Sequence, residues 1–384
     1  MDMFTFSAPV DICFGVGVIN GLGDQVKAMG KRVLLITDKG IVGAGVADTV
    51  TGVLKKAGLD VVLFTEIQEN PRDTTCINAA QLCAAEGCDV VVGLGGGSPM
   101  DVAKVVAVMM TNPGKHPREF EGRDKMEKDP MPFVLVPTTA GTAAEVTYNA
   151  VIVDTERTFK FTIISKRLAP KLAVLDPQLT AGKPAGLTAS TGMDALTHAI
   201  ESYTNTLVNP IADALAVKAI QLIGGSLRTA VVQGQNLQAR SDMLLGSLIA
   251  GLAFNMTRLG LVHAMSHPMS AYFDVPHGIA NAMLLSPIME FNMFGALDRT
   301  AEIGRLLGEK TCGLSPVDAG LKGVAAVRRL ADDVGIPHWL KEVGVTADRI
   351  PEMVEQTMKS GNVLVNPRQV KPKDVAQLFS NLIG

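Results

Sequence analysis

The chain has 384 residues, of which 47% are hydrophobic, 19% charged and 4% aromatic, and its formal net charge is −3. A length beyond the ~250–300 residues at which single cores stop growing predicts two domains. A near-neutral balance with no basic block argues against nucleic acid and anionic membrane as partners, and so few aromatics argue against a stacking platform for bases. Five cysteines (Cys13, Cys76, Cys83, Cys88, Cys312) form no Cys-x-x-Cys pair and point to a reducing, cytoplasmic setting. No basic segment leads into an apolar one at the N-terminus, so no secretory signal is expected. Continuous apolar runs such as 244–254 look too short to span a bilayer.

Taken in order, 4–14 reads as a strand and 18–29 as a helix. Residues 32–37 are a short, continuous apolar run, the mark of a strand buried on both faces. Helices at 46–57, 74–86 and 98–110 then alternate with strands at 60–64, 89–94 and 133–137. This alternation predicts an α/β domain with a parallel sheet and helices on both faces, binding its ligands at the carboxyl ends of the strands. Three of those ends carry chemistry. The sharpest is 90–101, where a buried strand runs into Gly95, Gly96 and Gly97 and then Ser98-Pro99-Met100-Asp101. Ser98 is expected at the N-cap, Pro99 at the first helical position, and Asp101 closing a capping-box-like arrangement. Glycines admit backbone N–H groups to a pyrophosphate, and the helix N-terminus favours its charge; an ordinary glycine-rich turn is the bland alternative. The second end is Thr37-Asp38-Lys39-Gly40. There Asp38 either accepts from ribose hydroxyls and repels a 2′-phosphate, or is a solvated turn residue. The third is Pro137-Thr138-Thr139-Ala140-Gly141-Thr142, rich in hydroxyls and backbone donors. Gly15-x-Gly17 lacks the third glycine of a dinucleotide fingerprint and precedes the alternation.

Residues 149–164 look like two strands around a turn at 154–157, and 176–184 like a linker. From 187 the pattern is helical to the end, with stops expected at Gly225, Pro276, Gly335-Ile336-Pro337 and Gly361. The expected domains are therefore 1–182 and 183–384, with the cleft between them as the default active site.

Four of the six histidines (His198, His263, His267, His277) fall within 80 residues. Asp194 and His198 are four apart in a helix-like run, which places both on one face. His263 and His267 are also four apart, in a helix expected to begin near Leu244. Pro276 should break that helix and leave His277 at the start of the next. Three histidines and one aspartate from two helices and a turn can close around one divalent ion. Taken singly, each histidine reads more readily as a satisfied core or helix-end residue; taken together, one Asp/His and one His/His pair at i,i+4 with a third histidine, in a histidine-poor chain, favour the metal.

Gly95-Gly96-Gly97-Ser98-Pro99-x-Asp101, Pro137-Thr138-Thr139-Ala140-Gly141-Thr142-x-x-Glu145-Val146-Thr147, Gly192-x-Asp194-Ala195-x-x-His198, Gly260-x-x-His263-x-x-x-His267-Pro268 and Pro276-His277-Gly278-x-Ala280-Asn281 occur in that order, followed by Asn366-Pro367-Arg368. In these motifs the chain resembles the iron-containing (group III) alcohol dehydrogenases. The resemblance implies an N-terminal dinucleotide-binding α/β domain and an all-α metal-binding domain. It implies metal ligation by Asp194, His198, His263 and His277, with His267 as a proton-relay histidine. It places Asp38 at the adenosine ribose, favouring NAD(H) over NADP. Asn70, Gly97, Ser98, Thr138, Thr139, Thr147, Lys160 and Leu179 fall where the family touches the dinucleotide. Phe254 falls beside the nicotinamide, and Asn149 and Asn362 at the substrate end. Ala143-Ala144 stands where some members have Gly-Ser. A homodimer or larger homo-oligomer is expected.

The expected activity is metal-dependent hydride transfer between NAD(H) and a short-chain primary alcohol or aldehyde. Imidazole and carboxylate suit Fe²⁺, and equally Zn²⁺, Mn²⁺, Co²⁺ or Ni²⁺. A metal hydrolase fits less well, because Ala264 follows His263 where a zinc protease has its general-base Glu. A non-catalytic binding protein, a glycerol dehydrogenase-like diol oxidoreductase and a dehydroquinate synthase-like enzyme are the other readings. Arg258, five residues before His263 and four after Phe254, either faces the cleft as a receptor for an anionic aldehyde such as a semialdehyde or sulfoacetaldehyde, or points outward or pairs with an acid.

Overall fold

A computed structural model describes residues 3–157 and 159–384. It divides into two compact units, Ser7–Gly182 and Lys183–Gly384, the second also taking in residues 3–6.

The first unit is built on nine strands: β1 (Asp11–Phe14), β2 (Arg32–Ile36), β3 (Asp60–Phe64), β4 (Val90–Gly95), β5 (Gly122–Arg123), β6 (Phe133–Pro137), β7 (Asn149–Asp154), β8 (Phe159–Ile164) and β9 (Leu172–Leu175). Its helices are α1 (Leu22–Lys27), α2 (Lys39–Gly43), α3 (Val46–Lys56), α4 (Asp73–Ala85) and α5 (Gly97–Thr111). Six strands form an all-parallel sheet in the order β1-β9-β6-β4-β2-β3, while β5, β8 and β7 form a small second sheet. Alternate side chains of β2 and β4 serve two cores. Leu34, Ile36 and Val91 pack under α4 and α5. Val33, Leu35, Val92 and Leu94 pack under α1 and α3. Burial on both faces is why these strands read as continuous apolar runs.

The first strand begins at Asp11, not near residue 4, because its partner β9 pairs only Asp11 to Phe14. β9 is not among the expected strands, because a run of four apolar residues is too short for its periodicity to distinguish.

The second unit is helical: α6 (Ala185–Thr204), α7 (Pro210–Val232), α8 (Leu237–Thr257), α9 (Leu261–Phe273), α10 (His277–Asn292), α11 (Leu297–Leu306), α12 (Pro316–Asp333), α13 (Ile350–Lys359) and α14 (Pro372–Ile383). α7 runs through Gly225, which therefore is no stop. One helical glycine costs about 1 kcal/mol against alanine, and the buried Ile220, Ile223 and Leu227 outweigh it. By length and composition alone α7 is apolar enough to cross a membrane, contrary to the run-length expectation, although Asp213 within it is paired with Arg299. The helix carrying His263 does not begin near Leu244. α8 ends at Thr257, the chain turns through Arg258 (φ 65°), and α9 starts after Gly260 at 105° to it.

Candidate active site

Asp194 and His198 lie one turn apart on α6, and both are buried. α9 begins two residues before His263, and α10 begins at His277 after Pro276. α10 can approach α6 this closely because residue 278 is glycine: a Cβ there would lie 2.6 Å from the Ser190 carbonyl oxygen. Asp194 Oδ1 is the hub. His198 Nε2 lies 3.8 Å from it, His263 Nε2 3.9 Å and His277 Nε2 4.0 Å. The ligand atoms of Asp194, His263 and His277 lie within 4.8 Å of one another. His198 stands outside that triangle, stacked on His263 with ring centroids 4.8 Å apart. Phe254 is buried against His198 at 4.7 Å. His267 is half-buried and its ring lies 5.6 Å from that of His277. The His277 side chain is 35% exposed while Asp194 and His263 are nearly sealed, so the site opens at the His277 edge.

Two residues to which the sequence assigned no role complete the site. The Glu201 carboxylate lies 2.6 Å from His263 Nδ1 and accepts from the Val262 backbone N–H at 2.6 Å. Asn281 Nδ2 lies 2.7 Å from Asp194 Oδ1, 3.0 Å from His263 Nε2 and 3.1 Å from His277 Nε2. Spacing held a signal for both. Glu201 is seven residues after Asp194 and Asn281 four after His277, on the same helix faces.

Electrostatics suits a cation. Burial pushes the Asp194 carboxyl up, but the imidazoles of His198, His277 and His263 with the Asn281 amide outweigh it and hold the group below its ordinary value. Burial, with His198 adding, pushes His263 well down and keeps it neutral. When Nδ1–H donates to the ionised Glu201 carboxylate, the Nε2 lone pair faces the triangle. Burial raises Glu201 to about 7 against the backbone N–H groups of Gly260 and Val262. One carboxylate and three imidazoles suit a divalent transition metal such as Fe²⁺. The buried Asn281 Oδ1 has no hydrogen-bond partner among the described residues.

In the other unit, β2 leads to β3 and β4 to β6 on opposite sides, so a topological switch point lies between β2 and β4. Asp38 and Gly95 meet there. Gly95 has φ 148°, and a Cβ on it would lie 2.7 Å from Pro99 Cγ and 3.4 Å from Asp38 Oδ2. Asp38 Oδ1 also accepts from the Ile41 N–H at 2.9 Å, capping α2. The expected capping box does not form. α5 starts at Gly97 with Gly96 as N-cap, which puts Ser98 and Asp101 too far into the helix to cap it. The Ser98 hydroxyl instead donates to the Glu69 carbonyl. Asp101 accepts from the Val151 N–H at 2.9 Å and sits 3.8 Å from Lys104.

No side chain caps α5, which leaves its first N–H groups to a ligand. Thr138 donates its N–H to the Gly95 carbonyl at 2.9 Å, and its buried Oγ1 has no partner among the described residues. Thr139 and Thr142 flank Gly96 and Gly97. A glycine cradle beside an orphaned hydroxyl fits a pyrophosphate. Lys104, fully buried, donates to Thr147 Oγ1 at 3.1 Å and to the Asn149 carbonyl at 2.8 Å, while Lys160 donates to Asn70 at 2.8 Å. Leu179 is packed in the apolar cluster under the sheet. Asn362 is half-buried beside Gly361, in the helical unit with Arg258; Asn149 belongs to the sheet unit.

Family models match both parts of the chain: "Iron-containing alcohol dehydrogenase" over residues 9–177 and "Fe-containing alcohol dehydrogenase family, C-terminal" over 188–383. The chain is 42% identical to a 1,3-propanediol dehydrogenase of Klebsiella pneumoniae over 98% of each chain. It is 36% identical to an NAD-dependent methanol dehydrogenase of Bacillus methanolicus over 99% of this chain and 100% of that one. The crystal structure of a 1,3-propanediol oxidoreductase superposes with a TM-score of 0.97 at 42% identity, covering 99% of this chain and 100% of that one. With the histidine–aspartate centre and the glycine cradle each lying inside its matching segment, the chain belongs to the iron-containing alcohol dehydrogenase family.

Proposed function

We propose that the chain is a metal-dependent, NAD(H)-linked dehydrogenase of short-chain primary alcohols that also reduces the corresponding aldehydes. The observation that carries this is the convergence of the Asp194, His263 and His277 ligand atoms, within 4.8 Å of one another, on buried helices. Asp194, His198, His263 and His277 would hold the ion, Fe²⁺ by family. When bound, the ion supplies Lewis acidity that lowers a hydroxyl pKa or polarises a carbonyl, and NAD(H) takes or gives the hydride. Glu201 keeps His263 in the ligating tautomer. Phe254 covers His198 and excludes water from that side. Half-buried His267, its ring 5.6 Å from that of His277, would pass the hydroxyl proton toward solvent. Asp38 and the Gly95–Ser98 turn would seat the adenosine end of the dinucleotide.

Chelation should abolish NADH consumption with a short aldehyde, and Fe²⁺ should restore at least part of it. His263→Ala should fold and lose metal and activity together; full activity in metal-free His263→Ala protein would overturn the reading. 1,3-Propanediol belongs in the substrate panel on the strength of the propanediol dehydrogenase relative. A second reading, an aldehyde with an anionic tail, is supported by Arg258, which is exposed beside Gly361 with no ion-pair partner among the described residues.

A further inference from the structure

Asn281 lies one turn beyond His277 on α10 and is fully buried. Its Nδ2 is within hydrogen-bond distance of three ligand atoms at once, Asp194 Oδ1, His263 Nε2 and His277 Nε2, so its two N–H groups are shared among three positions that all accept when the imidazoles carry their protons on Nδ1. The opposite amide orientation would set Oδ1 against Asp194 Oδ1 at 2.7 Å, acceptor against acceptor, so the nitrogen faces the centre. Three acceptors aimed at one point repel unless a donor or a cation lies between them. A cation bonded to these atoms at about 2.0–2.2 Å needs the space beside Nδ2. The Oδ1 of the same amide is buried and has no partner among the described residues. The side chain thus spends its two N–H donors on the ligand set and leaves its acceptor unsatisfied, an arrangement costly for any other purpose.

We propose that Asn281 is the internal stand-in for the metal. In the metal-free protein its amide holds Asp194, His263 and His277 in their ligating arrangement, and it yields when a cation enters. It is a positioning residue, acting through the three ligands. The inference rests on the assignment of Asp194, His263 and His277 as metal ligands. Its thermodynamic content is a sign: Asn281 stabilises the metal-free state more than the loaded one, and so opposes binding while keeping the empty site ordered.

The test uses Zn²⁺ as probe, with the full-length wild type, Asn281→Ala and Asn281→Leu. Asn281→Leu nearly preserves the shape and removes the N–H donors without adding charge, which covers a failure of the alanine variant to fold. Melting temperatures are measured metal-free and Zn²⁺-saturated, and Zn²⁺ affinity is measured by competition with a chelator. Both variants should melt several degrees lower than wild type when metal-free, change little when saturated, and bind Zn²⁺ at least tenfold more tightly. Variants that bind Zn²⁺ no more tightly than wild type, or lose as much stability loaded as free, would show that Asn281 serves the loaded site and overturn the proposal. A wild type that binds no Zn²⁺ would overturn the ligand assignment and the proposal together.

Discussion

The Glu201 carboxylate meets Nδ1 of His263 at 2.6 Å, with both groups buried. With the carboxylate ionised, that contact favours the proton on Nδ1 and leaves Nε2 to face Asp194. Removing such an outer partner typically costs about 10–100-fold in metal affinity. Glu201→Gln should therefore reduce Zn²⁺ or Fe²⁺ affinity by that order with the fold intact, because the amide can present its own N–H to Nδ1 and invert the tautomer. Wild-type affinity in the variant, measured by chelator competition, would show the contact to be passive.

Asp38 reaches the Gly95 turn at the switch point of the sheet. A carboxylate there accepts from ribose hydroxyls and repels a 2′-phosphate. The wild type should prefer NADH to NADPH in kcat/KM. Asp38→Gly should narrow that preference, chiefly by lowering KM for NADPH. Equal use of both cofactors by the wild type would remove Asp38 from the ribose site.

Much of this architecture was legible beforehand because its causes are local. β2, β4 and β6 are buried on both faces and so read as unbroken apolar runs. The pairs Asp194/His198 and His263/His267 obey the helical period, which needs no tertiary knowledge. What stayed hidden depends on distant contacts. The break between α8 and α9 carries no proline; Arg258 adopts φ 65° while Asn205 donates to the Leu259 carbonyl at 3.2 Å and Thr257 to the Arg258 carbonyl at 2.9 Å. Glu201, and a role for Asn281 within its motif, stayed hidden because a lone carboxylate or amide on a helix is commonplace. Only the packing of α10 on α6 and α9, and the approach of the start of α9 to Glu201, gives them acceptors and donors to serve.

Glu145 is buried in the sheet unit, and burial raises its carboxyl from 4.5 to about 7 against an opposing backbone hydrogen bond and Lys104. A raised carboxyl favours the protonated, folded form. Its contribution is full below pH 4.5 and is lost as the pH rises through 7. At ~1.4 kcal/mol per pH unit, the loss across that interval is about 3 kcal/mol. Glu145→Gln should flatten denaturation free energy between pH 5 and 8 and be more stable than wild type at the alkaline end. Parallel pH profiles for the two proteins would rule out Glu145 as the titrating group.

Arg258 holds a conformation that non-glycine residues seldom adopt, φ 65° and ψ −173°, at the junction between the helix of Phe254 and the helix of His263. Strain of this kind persists where surrounding contacts enforce it, and it clusters at functional sites. The guanidinium runs alongside Gly361, whose added Cβ would lie 3.6 Å from Nη1, and Asn362 follows in sequence. The side chain is exposed and has no acidic partner among the described residues. A planar donor fork so placed suits a carboxylate or sulfonate. The hypothesis is that Arg258 selects aldehydes with an anionic tail. A charged hydrogen bond is worth about 1.5–3 kcal/mol, so Arg258→Ala should raise KM for an anionic aldehyde by one to two orders of magnitude. A neutral aldehyde such as propanal should keep its KM and kcat within about twofold, since the substitution removes no group that touches it. Equal losses on both substrates would mean that Arg258 supports the α8–α9 junction alone. A wild-type preference for the neutral aldehyde would return the enzyme to unbranched alcohols and diols.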